Sequence, residues 1–196
     1  MSSANVAPNV VILDRDGTIV IDRGYLADPD GLEFTAGAPE ALRRLGEAGH
    51  KLVVITNQSG VGRGFFAIEQ LEAMNVRLQA MVEGIGARLT KIYVCPHAPA
   101  DNCTCRKPNL GLMDLAAAEL NFDPRSAVVV GDRESDMEFA RRAGARGILI
   151  SSSATCGNDG AAPNVTVRTL LEASWLIVPV NASKVFHNEG GARQVK

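Results

Sequence analysis

The residues best suited to chemistry are acids. Asp14-Arg15-Asp16-Gly17-Thr18 sets two carboxylates two positions apart at the end of an aliphatic run. One carboxylate can attack a phosphoryl group, and a second, protonated, can pass its proton to the departing alkoxide. Both also suit Mg²⁺, a hard cation that prefers oxygen ligands and keeps several waters. Taken alone, the pentapeptide equally suits a turn carrying solvated acids. Thr56-Asn57-Gln58-Ser59-Gly60 ends another aliphatic run and offers a hydroxyl, amides and backbone donors of the kind that hold phosphate oxygens, although Thr and Asn also favour turns and helix starts. Gly131-Asp132-Arg133-Glu134-Ser135-Asp136 adds a further Mg²⁺ ligand in Asp132, with Asp136 to cap or position it; the alternative is an acidic helix start. Arg106-Lys107-Pro108 supplies Lys107 to neutralise phosphate, or else a solvated basic pair.

Sulfur forms a second cluster. Cys95-Pro96-His97 and, after a five-residue spacer, Cys103-Thr104-Cys105 bring three thiols and an imidazole onto one stretch of chain. Cys95, His97, Cys103 and Cys105 fit tetrahedral Zn²⁺, and four protein ligands leave no open coordination position. Such a zinc is structural, with the chemistry left to Mg²⁺; reduced buried cysteines are the alternative. Cys156 has no partner in sequence and reads as an inert thiol.

The chain that must position these groups has 196 residues, 46% hydrophobic and 21% charged, with 20 basic and 22 acidic side chains and a formal net charge of −2. That length suits one domain, residues 1–180, followed by a tail at 181–196 expected to be mobile. Without a basic block the chain lacks the positive field that nucleic-acid binding requires. Residues 1–8 contain no Lys or Arg, and the apolar run at 10–13 is too short for a signal segment or a membrane span. The expectation is a cytoplasmic monomer with a small-molecule substrate and no nucleic-acid or membrane partner.

Short aliphatic runs at 10–13, 52–55, 92–94, 127–130 and 147–150 are continuously apolar, as strands buried on both faces are. Helical patterns alternate with them: 39–48, stopped by Gly49; an apolar stripe at Ile68, Leu71, Met74, Leu78, Met81 and Ile85; 111–120; and 136–143, stopped by Gly144. Strand and helix in alternation predict an α/β fold with a parallel sheet, and ligands beyond the carboxyl ends of its strands. The loop at 151–162 is rich in Ser, Gly and Ala.

The ordered set DxDGT, TNQSG, RKP and GDxxxD resembles the haloacid dehalogenase superfamily of aspartyl-phosphate phosphatases over about residues 10–150. The resemblance implies a Rossmann-like fold with helices on both faces of the sheet. It implies Asp14 as nucleophile, Asp16 as general acid and then base, Thr56 as phosphoryl ligand and Lys107 as its stabiliser. Mg²⁺ would be held by Asp14, Asp132 and the backbone carbonyl of Asp16. The spans from Asp16 to Thr56 and from Thr56 to Lys107 are largely consumed by a helix and a strand each, so no large cap domain fits. The rim must come from loops at 20–34, 58–66 and 95–105. This arrangement resembles the capless, zinc-loop branch that contains heptose bisphosphate and histidinol-phosphate phosphatases.

Asp22-Arg23-Gly24-Tyr25 and the run from Asn57, Gln58 and Ser59 to Arg63 are similar to the heptose group, whose segments read close to DHGY and NQSGxxRG. The five-residue spacer of the cysteine loop and Arg133 resemble the histidinol-phosphate group instead. These residues, with Arg106, form the implied substrate-binding set. Arg23, Arg63, Arg106 and Arg133 have the guanidinium forks that suit a second phosphate. The implied activity is Mg²⁺-dependent removal of the C7 phosphate of D-glycero-D-manno-heptose 1,7-bisphosphate, in nucleotide-activated heptose synthesis for surface polysaccharide. Histidinol-phosphate hydrolysis is the alternative, and a non-catalytic scaffold is disfavoured by intact Asp14, Asp16, Lys107 and Asp132.

Overall fold

Five continuously apolar runs become strands of one parallel sheet, because a strand covered by helices on both faces has no polar side to show. The computed structural model describes residues 10–152 and 165–179. Residues 1–8, Cys156, most of the 151–162 loop and the 181–196 tail lie outside the described residues. The elements run β1 (Val10–Leu13), α1 (Ala38–Glu47), β2 (Lys51–Asn57), α2 (Ser59–Gly62), α3 (Ile68–Gly84), β3 (Leu89–Cys95), α4 (Gly111–Leu120), β4 (Val128–Gly131), α5 (Glu134–Ala143), β5 (Arg146–Ile150), β6 (Val165–Val167) and α6 (Leu170–Ile177). The sheet order is β3-β2-β1-β4-β5-β6, and every pairing is parallel.

Side chains alternate across each strand, so the sheet feeds two cores. Val11, Leu13, Val54 and Val130 cluster with residues of α1, α3 and α6, while Val10, Ile12, Ile55 and Val129 cluster with residues of α4 and α5. The register sets Leu13 opposite both Val54 and Val130, so the carboxyl ends of β1, β2 and β4 lie side by side. β1 runs between strands that lead the chain in opposite directions, the switch point at which open α/β sheets bind ligands.

Helix ends follow their local chemistry. α1 starts with Pro39 in its first turn, and α5 stops at Gly144, whose φ of 68° is left-handed backbone that glycine adopts without strain. α5 begins two residues before the expected start, with the Asp136 carboxylate accepting from the Arg133 amide at 3.1 Å. The buried stripe of α3 is Leu71, Met74, Leu78 and Val82; Ile68, expected on it, is 42% exposed in the first turn. Sequence reading passed over β6 and α6, although Thr169-Leu170-Leu171-Glu172 has the form of a capping box. The Thr169 hydroxyl accepts from the Glu172 amide, and the Glu172 carboxylate from the Arg168 amide. Among the described residues no cap domain is inserted, and no helix is long and apolar enough to cross a membrane.

Leu78→Ala should lower stability by about 2 to 5 kcal/mol, since the fully buried leucine leaves a cavity between α3 and the sheet. Val76→Ala on the same helix, at a position 71% exposed, should stay within about 0.5 kcal/mol. Urea unfolding midpoints compare the two.

Candidate active site

Asp14 follows β1 directly, and its amide donates to the Val130 carbonyl at 2.9 Å, so the sheet ladder carries on to the nucleophile candidate. Thr56 and Asn57 end β2, and Asp132 follows β4. Between β1 and β4, Gly17 has a φ of +77° and passes so close to Asp132 that a Cβ there would lie 2.2 Å from its Oδ2. Only glycine lets that carboxylate approach the first loop.

Lys107 arrives from the loop before α4 and is 5% exposed. Its Nζ lies 2.7 Å from Asp14 Oδ1 and 2.6 Å from Asp136 Oδ1, and donates to the Ile55 carbonyl at 2.6 Å. Burial alone would lower its pKa; the charges of Asp14 and Asp136 outweigh burial and raise it, so the ammonium keeps its proton. Asn57 holds the same residue by its main chain: its Nδ2 donates to the Lys107 carbonyl at 3.1 Å, and its Oδ1 accepts from the Lys107 amide at 3.0 Å.

A second network holds Asp16. Gln58 Nε2 donates to Asp16 Oδ2 at 2.6 Å and to Thr56 Oγ1 at 2.9 Å, while Arg15, 2% exposed, donates to Asp16 and to Gln58 Oε1 at 2.8 Å. Burial raises the Asp16 pKa and the Asp14 charge adds to it, against lowering by Arg15 and the Gln58 hydrogen bond. A carboxyl shifted upward holds its proton more readily than a free one.

The acids outnumber the cations. Asp14, Asp132 and Asp136 offer carboxylate oxygens within 4.8 Å of one another, and Asp132 Oδ1 is buried without a hydrogen-bond partner. Burial first, then the charges of Asp14 and Asp136, push Asp132 up to about 6. A divalent cation satisfies the orphaned oxygen and relieves that repulsion, so the residues present fit one. The side-chain cluster adds Asp136 to the expected Asp14 and Asp132. The Asp16 carboxylate is turned to Arg15 and Gln58, in keeping with an expected ligand that is its backbone carbonyl rather than its side chain.

Cys95 Sγ, Cys103 Sγ and Cys105 Sγ lie 3.3 to 3.6 Å apart, with His97 Nδ1 3.1 Å from Cys105. All four donor atoms fall within 4.8 Å of one another, a set that would hold a metal ion. The centre is tied to the site, since the Cys95 carbonyl accepts from the Gln58 amide at 2.8 Å and Cys105 stands two residues before Lys107.

A cavity of about 310 Å³ opens over the strand ends, lined by Asp14, Asp16, Thr56 and Lys107. Asp22, Gly24 and Tyr25 line it from the first loop, Asn57, Gln58 and Ser59 from the second, and Arg106 and Arg133 from the other side. Arg23 and Arg63 are not among the lining residues. Arg23 pairs with Glu33 at 2.6 Å, where Val20 and Phe34 form an antiparallel bridge, and Arg63 ends α2. Arg133 pairs with Asp22 at 2.8 Å across the rim. Sequence reading missed Arg15, Ser135 and Phe65; the Phe65 ring packs edge-on against Tyr25 with centroids 4.4 Å apart.

A HAD-hydrolase-like family model matches residues 104–173. The D-glycero-beta-D-manno-heptose-1,7-bisphosphate 7-phosphatase of Haemophilus ducreyi is 39% identical over 143 residues, 69% of this chain and 79% of that one. Its namesake from Helicobacter pylori strain J99 is 42% identical over 128 residues, 65% and 74% of the two chains. The chain belongs to the heptose-1,7-bisphosphate phosphatase family. Its fold is that of the family: the D,D-heptose 1,7-bisphosphate phosphatase of B. bronchiseptica, crystallised with magnesium and phosphate, superposes with a TM-score of 0.77 at 29% identity, covering 86% of this chain and 97% of the other. As a member of this haloacid dehalogenase-like family the chain is a phosphoric monoester hydrolase, and Mg²⁺ dependence is typical of such hydrolases.

Gly17→Ala tests the close approach of the two loops. The added Cβ displaces the Asp132 carboxylate and strains a positive φ, so phosphate release should fall at least about tenfold and stability by about 1 kcal/mol or more. Steady-state assays and urea melts measure both.

Proposed function

We propose that this chain removes the C7 phosphate of D-glycero-D-manno-heptose 1,7-bisphosphate through an aspartyl-phosphate. An Asp14 carboxylate oxygen attacks phosphorus while the bond from phosphorus to the sugar oxygen breaks, and Asp16 gives its proton to the departing alkoxide. Water then attacks the aspartyl-phosphate, Asp16 takes the water's proton, and Asp14 is regenerated as inorganic phosphate leaves. Thr56 and Lys107 bind the transferring group, and the Lys107 ammonium, already among carboxylates, offsets the charge that builds on it. Asp14, Asp132 and the Asp16 carbonyl would hold Mg²⁺, which when bound lets an anionic nucleophile and an anionic phosphate meet.

The observation that carries the choice of substrate is Arg106. Of the two guanidinium groups lining the cavity, Arg133 is paired with the Asp22 carboxylate, whereas Arg106 has no acidic partner among the described residues and buries one unbonded nitrogen. An unpaired cation beside a phosphate site suits a second phosphate. Histidinol phosphate has one phosphate and a positively charged amine, which would leave Arg106 unanswered. The names of the relatives point the same way.

The Cys95, His97, Cys103 and Cys105 centre is read as structural zinc: ligands at about 2.3 Å from one ion stand about 3.8 Å apart, close to the spacing of the thiols. Unpaired thiols suit a reducing compartment, and the reading extends to a cytoplasmic enzyme, monomeric, built on residues 1–180, with no nucleic-acid or membrane partner.

Asp14→Asn should abolish turnover, because an amide is too poor a nucleophile. Near-wild-type kcat in that variant would exclude covalent catalysis by Asp14. Across a panel of heptose 1,7-bisphosphate, heptose monophosphate and histidinol phosphate, the bisphosphate should give the highest kcat/KM. Arg106→Ala should raise KM for it by about 10- to 150-fold, the loss of a charged contact of roughly 1.5 to 3 kcal/mol, and affect the monophosphate much less. Equal kcat/KM for bisphosphate and monophosphate, or preference for histidinol phosphate, overturns the assignment.

Elemental analysis of protein purified without chelator should find about one zinc per chain, and stripping it should lower stability while added Mg²⁺ remains necessary for activity. Protein that is free of zinc yet fully stable removes the structural-zinc reading.

A further inference from the structure

We infer that the Asn57 side chain acts to position Lys107 and makes no contact that binds substrate; the inference rests on the reading of Lys107 as the group that stabilises the transferring phosphoryl. Asn57 borders the cavity, yet both ends of its amide are engaged by main chain, Nδ2 with the Lys107 carbonyl at 3.1 Å and Oδ1 with the Lys107 amide at 3.0 Å. A carboxamide places a donor and an acceptor in one plane, as a peptide group does, and so takes both polar groups of one residue at once. Lys107 needs such a partner because it lies in a loop, where no strand ladder pairs its amide and carbonyl.

The geometry also explains why Asn57 and its neighbour differ in role. Successive side chains on a strand point to opposite sides. Thr56 Oγ1 accepts from Gln58, which also bonds Asp16, while Asn57 turns to the loop that carries Lys107. Asn57 is paired in register with Cys95 at the end of β3, so the amide joins the rigid end of the sheet to a loop fifty positions on. Fixed there, Lys107 Nζ reaches Asp14, Asp136 and the Ile55 carbonyl together at 2.6 to 2.7 Å. Asp at position 57 would keep the acceptor and lose the donor, setting a carboxylate against the Lys107 carbonyl.

A double-mutant cycle tests this on the full-length, metal-replete protein, with p-nitrophenyl phosphate as substrate so that the choice of sugar does not enter. Asn57→Ala should lower kcat about a hundredfold, the cost of misplacing a reacting group by about an ångström, with KM little changed. Asn57→Asp, which preserves volume, should show the same loss. In the Lys107→Ala background, Asn57→Ala should cost no more than about twofold further, because the residue it positions is gone. Losses that multiply in full, or a loss confined to KM, overturn the inference in favour of a substrate contact. A fall in urea midpoint with unchanged kcat in either Asn57 variant overturns it in favour of a merely structural bond. Wild-type kcat in Lys107→Ala alone refutes the reading of Lys107 instead, and is distinguishable because it does not depend on Asn57.

Discussion

Lys107 carries a positive charge into a place that is 5% exposed, and such a charge is tolerable only where its partners are supplied by the fold. The partners come from separate parts of the chain: Asp14 from the end of β1, Asp136 from the first turn of α5, and the Ile55 carbonyl from β2. Removing one carboxylate from such an arrangement typically costs about 3 to 5 kcal/mol, because the remaining charge is left buried and unmatched. The parallel register of β1 with β2 and β4 is therefore also the electrostatic frame of the site. Any shift that separated these strand ends would separate the ammonium from its anions.

Much of this was legible in the sequence. Strands buried on both faces show themselves as continuous apolar runs, and the residues just after those runs fall at the crevice by topology alone, which is why Asp14, Thr56 and Asp132 stood out. Lys107 was legible only through its family pattern, since nothing local distinguishes a lysine that will be buried from one that will be solvated. Arg15 was passed over for the same reason: its burial depends on Gln58, 43 positions away. Arg23 was read by charge and type; its ion pair with Glu33, beside the bridge between Val20 and Phe34, is a contact that no local pattern announces. Asn57 was grouped with Thr56 because they are adjacent, yet strand alternation sends adjacent side chains apart.

The distribution of strain among the acids is informative as well. Asp16 and Asp132 are both raised, but by surroundings of different kinds: Asp16 sits among donors that partly offset its burial, while Asp132 faces two like charges and leaves an oxygen unbonded. The first environment suits a group that must hold and release a proton. The second suits a group waiting for a cation. Two carboxylates in neighbouring loops are thus set in different environments by the groups around each.

The position of β3 has a consequence beyond catalysis. It is the outermost strand on its side of the sheet, and an outer strand of seven residues is a template on which another chain could lay a strand. Lys91 stands exposed within it, ion-paired to Glu119 of α4 at 2.5 Å, and at its carboxyl end the chain leaves into the cysteine centre, where Pro96 accepts from the Gly62 amide at 2.8 Å. At the opposite edge, β6 is only three residues long. The same cysteine loop that delivers Lys107 to the cavity therefore also ends this exposed edge, so the length of the open strand and the placing of the buried ammonium draw on one piece of chain.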